Sequence, residues 1–149
     1  MKTHTIPVGS YNFQSENAFT GNLPERIFVS FVKSAAYTGS YITNPFNYEH
    51  FELETLSTIV DEGSVYGDTI EVNFTEKKYL EGFRSLFNLT NFGDDGNGLT
   101  QQDYSNDGFS LFCFEILCTP AEEAFIPLKK GQLRVVAKFR TALSVAVTI

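Results

Sequence analysis

The sequence predicts an all-β domain, an antiparallel sandwich or barrel with one short helix inserted around residues 76–89. Fifteen Phe and seven Tyr, against one Met and no Trp, favour half-buried pleated surfaces. At least seven short segments have strand patterns, and turn residues separate them. The length of 149 residues suits a single domain, residues 1–149, with its own core.

Four candidate strands lie in the first half of the chain. They are HTIPV (residues 4–8), RIFVSFV (26–32), FELETLSTIV (51–60) and TIEVNF (69–74). RIFVSFV is apolar on both faces, which is typical of a strand inside a sheet. In TIEVNF the apolar Ile70, Val72 and Phe74 alternate with polar residues, which predicts one buried face and one solvated face.

The helix is predicted over TEKKYLEGFRSLFNL, residues 75–89. Thr75 is its candidate N-cap. Gly82 lowers the helix propensity, so the helix depends on packing its aromatic face against the core. We expect that face to fill the core rather than to bind a ligand; its residues are Tyr79, Leu80, Phe83, Leu86 and Phe87.

A long polar segment, NFGDDGNGLTQQDYSNDG (91–108), follows the helix and is predicted to be a loop. A calcium loop needs oxygen ligands at alternate positions and Gly at the sixth. Counted from Asp95, the third position is Asn97, but the fifth is Leu99 and the sixth is Thr100. The spacing therefore argues against calcium.

Three further candidate strands complete the chain. SLFCFEIL (110–117) is apolar on both faces apart from Glu115, so we expect it in the middle of a sheet. LRVVAKFR (133–140) alternates and predicts one solvated face. SVAVTI (144–149) alternates as well. The expected inward-facing residues of these last two strands are Leu133, Val135, Ala137, Phe139, Val145, Val147 and Ile149.

Charge and cysteine usage limit the function classes. With 18 Asp and Glu against 11 Lys and Arg, the net charge is −7, which disfavours nucleic acid as a partner. No apolar run is long enough to span a membrane, and the first residues lack the apolar run of a signal peptide. Cys113 and Cys118 are five residues apart on one strand and face opposite ways, so we expect reduced thiols and an intracellular protein.

The residues that carry chemistry are too sparse for an active site. The chain has two histidines, His4 and His50, whereas a metal site on a sandwich needs two or three with a carboxylate. Glu49 and Glu52 are too local to His50 to supply one, so we expect His50 to bridge or cap. Nucleophile and phosphate-binding motifs are missing. The sequence predicts no enzyme, and no catalytic, metal-binding or cofactor-binding residues.

Four segments, in this order, resemble a known family: LPERIFVSFV, AYTGSYITNPFNYEHFELETLSTIVDEG, DYSNDGFSLFCFEI and LKKGQLRVVAKF. They are similar to the hexon-like major capsid protein of Polinton (Maverick) elements and adintoviruses. That family builds its subunit from two jelly rolls in tandem, and this chain resembles the C-terminal one from about Ile6 to Phe139. The resemblance implies an antiparallel jelly-roll sandwich of the viral capsid type. The first jelly roll is missing and the last strand looks truncated.

The resemblance assigns architectural roles rather than catalytic ones. Asn44-Pro45-Phe46-Asn47 matches the centre of the family's second segment. Pro45 biases Asn44 to an extended conformation, and Asn47 is expected to bond its own backbone. The other matched positions are Leu23, Pro24, Arg26, Ile27, Gly39, Ser40, Tyr41, His50, Phe51, Asp61, Gly63, Asp103, Tyr104 and Gly108.

Four aromatic residues of this segment, Tyr41, Phe46, Tyr48 and Phe51, are expected to clamp it onto the edge of the sandwich. Tyr41, Phe46 and Tyr48 are also the candidate subunit-contact residues. If Phe46 is a buried anchor, its replacement by Ala lowers stability by several kcal/mol. If stability is unchanged and assembly fails, Phe46 is a contact residue.

By resemblance, the expected function is that of a structural protein, a major capsid protein building block located in the virion capsid. Its expected partners are further copies, as a trimeric capsomer in the full-length protein, and other capsid proteins. The alternative is a domesticated host module for binding or interaction, lectin-like or scaffolding, on the same fold. A stable sandwich without an assembly role, and a cupin-type enzyme, stay as weaker alternatives.

Overall fold

The computed structural model describes residues 2–60, 64–65, 69–90, 98–106, 108–116 and 130–149. Asp61, Gly63, Asp95, Asn97 and Cys118 lie outside these ranges. The strands are β1 (Thr5–Ile6), β2 (Asn12–Gln14), β3 (Phe19–Asn22), β4 (Arg26–Ser30), β5 (Val32–Lys33), β6 (Leu53–Val60), β7 (Ser64–Val65), β8 (Ile70–Glu71), β9 (Leu111–Glu115), β10 (Lys130–Phe139) and β11 (Val147–Thr148). The helices are α1 (Ser34–Tyr37), α2 (Leu80–Thr90) and α3 (Gln101–Asn106).

The largest sheet is built around β10, the longest strand. β6 lies on one side of β10, β2 and β3 lie on the other, and β7 and β8 pair with the far edge of β6. Every one of these pairings is antiparallel. The inward face of β10 is confirmed as predicted from its alternation, since Leu133, Val135, Ala137 and Phe139 are all buried.

A β-bulge in β6 changes which of its residues face the core. Lys138 is opposite Thr55, but the next residue, Phe139, is opposite Leu53, so Glu54 is an extra residue on β6. Leu53 and Leu56 are therefore both buried, although their odd spacing would place them on opposite faces of a regular strand.

Two smaller antiparallel sheets, β1–β11–β5 and β4–β9, complete the β structure. Phe31 alone separates β4 from β5, so the chain passes from one sheet to the other at a fully buried residue. Its ring lies edge-to-face against Phe112 of β9 and Phe139 of β10. The three sheets thus enclose one continuous core, and the mostly antiparallel β fold expected from the sequence is confirmed.

β9 has a helix at one edge, which differs from its predicted position inside a sheet. It pairs with β4 on one side. On the other side the Cys113 backbone N–H donates to Ser85 Oγ of α2 at 3.3 Å. The hydroxyl of Ser85 also donates to the Gly82 carbonyl, so the helix satisfies a polar group that a strand edge leaves free. Cys113 is free and buried.

α2 begins later than predicted, and Thr75 is not its N-cap. Residues 73–78 form a tight turn in which Asn73 and Lys78 exchange backbone hydrogen bonds, and Lys77 has a φ of +57°. The Thr75 hydroxyl instead donates to Glu52 Oε2 at 2.9 Å. Leu86 is buried, whereas Leu80, expected on the packed face, is the first helical residue and is 53% exposed.

α3 lies inside the segment that was predicted to be a loop. Thr100 and Asp103 hold its first turn reciprocally: the Thr100 N–H donates to Asp103 Oδ2, and the Asp103 N–H donates to Thr100 Oγ1. This is a capping box with Asp in place of Glu or Gln, so the T-x-x-D spacing was a signal that the interpretation as a loop missed. The helix buries Tyr104 completely.

β11 is short and its expected face is only partly confirmed. Val147 is fully buried between β1 and β5, as predicted. Val145 is 36% exposed and precedes the strand, so its predicted inward position is wrong. Thr148 is buried instead, because its hydroxyl hydrogen-bonds to that of Ser34.

Candidate functional site

The connection from α1 to β6 carries the most exposed apolar side chains of the described chain. We call residues 38–49 the aromatic loop. Tyr41 and Ile42 are 110% and 93% exposed, and Phe46 is 71% exposed. The expectation that Tyr41 and Phe46 clamp the loop onto the sandwich is therefore wrong, and Phe46 is no buried anchor. Of the four aromatics, Phe51 packs against the core and Tyr48 is half-buried.

The bend of the loop is held by Asn44 rather than by Asn47. The Phe46 N–H donates to Asn44 Oδ1 at 3.0 Å, and the Asn47 N–H donates to the Asn44 carbonyl. Pro45, at the second position of this turn, fixes the φ that the turn requires. The Asn47 side chain was expected to bond its own backbone, but its amide donates to Glu49 Oε1 at 2.9 Å.

The base of the loop is fixed to the segment before β9. Tyr48 pairs in parallel with Phe109: the Tyr48 N–H donates to the Gly108 carbonyl, and the Ser110 N–H donates to the Tyr48 carbonyl. Gly108 has a φ of +80°, and a Cβ added there would overlap Asn47 Oδ1. The structure thus brings Asn47 and Gly108 together, two positions that the family resemblance marked in separate segments.

An ion pair ties the end of the loop to β5. Lys33 Nζ lies 2.8 Å from Glu49 Oε1, the oxygen that also accepts from Asn47. The Glu49 N–H donates to the Phe31 carbonyl at 3.0 Å. The aromatic loop therefore returns to the same edge of the molecule from which it starts.

His50 caps a strained turn between the loop and β6. Phe51 and Glu52 have φ values of +46° and +52°, and the Leu53 N–H donates to the His50 carbonyl, which is the pattern of a type I′ turn. His50 Nδ1 accepts from the Glu52 N–H at 3.0 Å. The predicted capping role of His50 is thereby confirmed.

The electrostatic state of His50 fits this role. Burial lowers the pKa of His50 from its usual value, against the opposing effect of Glu52 and Glu49. Its ring stacks on Phe74 with centroids 3.9 Å apart. A neutral ring, whose Nδ1 accepts the hydrogen bond from the Glu52 N–H, suits both contacts, so the 3.8 Å approach of Nδ1 to Glu52 Oε1 is a contact rather than an ion pair.

The structure also places several other positions that the resemblance marked. Leu23 is buried, Pro24 is half-buried, and Arg26 begins β4 opposite Glu115. Gly39 follows α1 with a φ of +104°. Asp103 accepts from the Thr100 N–H and so caps α3.

Tyr104 is the centre of an aromatic cluster that the sequence did not single out. Its ring contacts those of four other residues: Phe74, Tyr79, Phe83 and Phe112. Burial raises the pKa of its hydroxyl well above the usual value. The capping box before it and the helical spacing of Tyr79 and Phe83 were the available signals.

The described residues offer little for catalysis or metal binding. Within them, no three side chains from His, Cys, Asp and Glu are grouped to hold a metal ion. Burial raises the pKa of the Cys113 thiol to about 11, so it is protonated at neutral pH. What the described surface presents is an apolar loop on a fixed base.

Comparison with known proteins gives one distant relative. An uncharacterized protein of Caenorhabditis elegans is 24% identical over 119 residues, which cover 78% of this chain and 28% of the relative. The chain thus spans less than a third of that relative's length. No protein-family model matches the chain, and no solved structure matches it. No helix among the described residues is long and apolar enough to cross a membrane.

Proposed function

We propose that this chain is a structural building block of a capsid-type assembly, a jelly roll corresponding to the C-terminal barrel of a hexon-like major capsid protein. The observation that carries the proposal is the aromatic loop, which exposes Tyr41, Ile42 and Phe46 while its base is held by backbone pairing. Exposed apolar groups on a fixed frame bind a partner with little loss of conformational entropy. The antiparallel sheets around one core are compatible with a jelly roll.

In this proposal the chain acts by self-association and has no catalytic role. Its partners are further copies of the subunit and other capsid proteins, and its location is the capsid of a virion or virus-like element. In a closed assembly with rotational symmetry, such as a trimer, every copy buries the same set of contact surfaces.

A second candidate is a cellular interaction module on the same fold. It is favoured by the occurrence of the relative in an animal, Caenorhabditis elegans. In that case the aromatic loop binds a different protein, and the isolated chain stays monomeric.

The test is the solution mass of the purified chain by light scattering over a concentration series. The capsid proposal expects a discrete trimer or larger closed species. Phe46→Ala is expected to weaken that species while changing the free energy of unfolding by less than about 0.5 kcal/mol, because Phe46 is exposed. Phe28→Ala, an exposed aromatic on β4, is the control. A monomer at every concentration contradicts assembly through this barrel alone and favours the interaction module.

A further inference from the structure

Three segments of the chain have no charged side chains. Residues 5–15, 34–48 and 141–149 contain no Asp, Glu, Lys or Arg, although the chain has 18 acidic and 11 basic residues. The aromatic loop, up to Tyr48, belongs to the second of these segments. The first and third lie at opposite ends of the sequence.

The fold brings these three segments together. β1 and β5 flank β11 in one sheet, with Ile6 opposite Val147 and Val147 opposite Lys33. The Ser34 N–H donates to the Ala146 carbonyl at 2.9 Å, and the Gly9 N–H donates to the Leu143 carbonyl at 2.8 Å. We call the region formed by the three segments the uncharged end of the molecule.

The uncharged end also holds most of the exposed apolar side chains. Ten large apolar side chains are exposed in the described residues, and seven of them belong to this region, which makes it distinct from the rest of the surface. Exposed apolar groups concentrated in one region mark an interaction site, and the centres of protein interfaces are depleted of charge and enriched in Tyr and Phe. The seven are Val8, Tyr11, Tyr37, Tyr41, Ile42, Phe46 and Val145.

We propose that the uncharged end is the surface by which copies of this chain dock onto one another, an inference that rests on the proposed assembly function. Each copy has a net charge of −7, so charged surfaces of two copies repel. Uncharged ends meet without bringing side-chain carboxylates together. Of the charged residues that directly flank the three segments, Lys33 and Glu49 neutralise each other at 2.8 Å.

A stable contact needs only a small part of the surface of the chain. A standard interface buries about 800 Å² on each partner. That area is less than a tenth of the 9142 Å² surface of this chain. A fully exposed aromatic residue buries about 150–250 Å². Tyr11, Tyr37, Tyr41 and Phe46 are 55%, 44%, 110% and 71% exposed, so together they offer roughly 420–700 Å² to a partner.

Tyr11→Glu tests the proposal at a position outside the aromatic loop. Tyr11 is 55% exposed. Leu80, at the start of α2 and outside the three uncharged segments, is 53% exposed, so Leu80→Glu is a matched control. Light scattering over a concentration series is expected to show at least a tenfold weaker association for Tyr11→Glu and an unchanged one for Leu80→Glu. Raising the salt concentration is expected to strengthen association of the unsubstituted chain, because salt screens the repulsion outside the contact.

The outcomes separate this inference from the proposed function. If the unsubstituted chain and Tyr11→Glu assemble equally well, the contact does not extend beyond the aromatic loop; this inference then fails, while the assembly function stands. If the unsubstituted chain is monomeric throughout, the assembly function fails and this inference fails with it. Binding of the monomer to phosphatidylcholine vesicles that Tyr11→Glu abolishes would assign the surface to a lipid bilayer and overturn the proposal. Val8→Glu repeats the test if Tyr11→Glu lowers Tm.

Discussion

Replacing Gly108 by Ala is expected to loosen the base of the aromatic loop. Gly108 has a φ of +80°, where an L-residue costs roughly 1–2 kcal/mol. The new Cβ would overlap Asn47 Oδ1 and lie 3.0 Å from Asn47 Cγ. The Asn47 side chain must then move and lose its 2.9 Å bond to Glu49, a further loss of about 1 kcal/mol. The total is about 2–3 kcal/mol, or roughly 4–12 °C in Tm for a chain of this size.

Urea denaturation of matched variants separates the two contributions. Gly9 has a φ of +84° but no atom within 4 Å of an added Cβ, so Gly9→Ala measures the backbone cost alone. Gly108→Ala is expected to cost about 1 kcal/mol more than Gly9→Ala. In an Asn47→Gly background most of that extra cost is expected to disappear, because the side chain that the Cβ overlaps is gone.

Equal losses for Gly9→Ala and Gly108→Ala would refute the reasoning. They would mean that Asn47 does not lie against Gly108 and that the loop base is not fixed there. The proposed advantage of a preorganised loop would lose its support at the same time.

Three further predictions concern α2, the His50 turn and α3. Gly82→Ala is expected to lower the free energy of unfolding by about 1 kcal/mol, even though Ala favours a helix, because its Cβ would lie 2.7 Å from the Tyr104 hydroxyl in a closed core. A variant that urea denaturation shows to be stabilised would contradict this packing. Burial lowers the pKa of His50 in the folded protein, so its contribution to stability is complete above pH about 6.5 and is lost as the pH falls through the folded pKa. Between pH 7.5 and 5.5 the unsubstituted chain is therefore expected to lose more stability than His50→Gln. Parallel curves of unfolding free energy against pH would argue against a buried neutral ring. Thr100→Ala is expected to lower the free energy of unfolding by about 1 kcal/mol, because α3 loses its cap. Gln101→Ala, at an exposed position of the same helix, is the control. Equal urea denaturation curves for the two variants would contradict the capping role of Thr100.

The position of the candidate site could be predicted from the sequence, but which of its aromatic side chains are exposed could not. The family resemblance and the aromatic content of residues 41–51 drew attention to the loop. An aromatic residue has the same identity whether it packs inward or outward, so the sequence could not reveal that Phe51 is packed while Phe46 is exposed. The role of His50 as a cap was predictable because its partner, Glu52, is two residues away.

The sequence by itself determined the β-rich class, the inward face of β10 and the existence of α2. These follow from periodicities of two and of about 3.6 residues, which backbone geometry imposes locally. The tertiary structure decided the bulge at Glu54, the late start of α2 and the contact between Asn47 and Gly108. It also gathered three uncharged segments, residues 5–15, 34–48 and 141–149. Contacts between residues so far apart in sequence depend on how the sheets pack, and no local pattern records that packing.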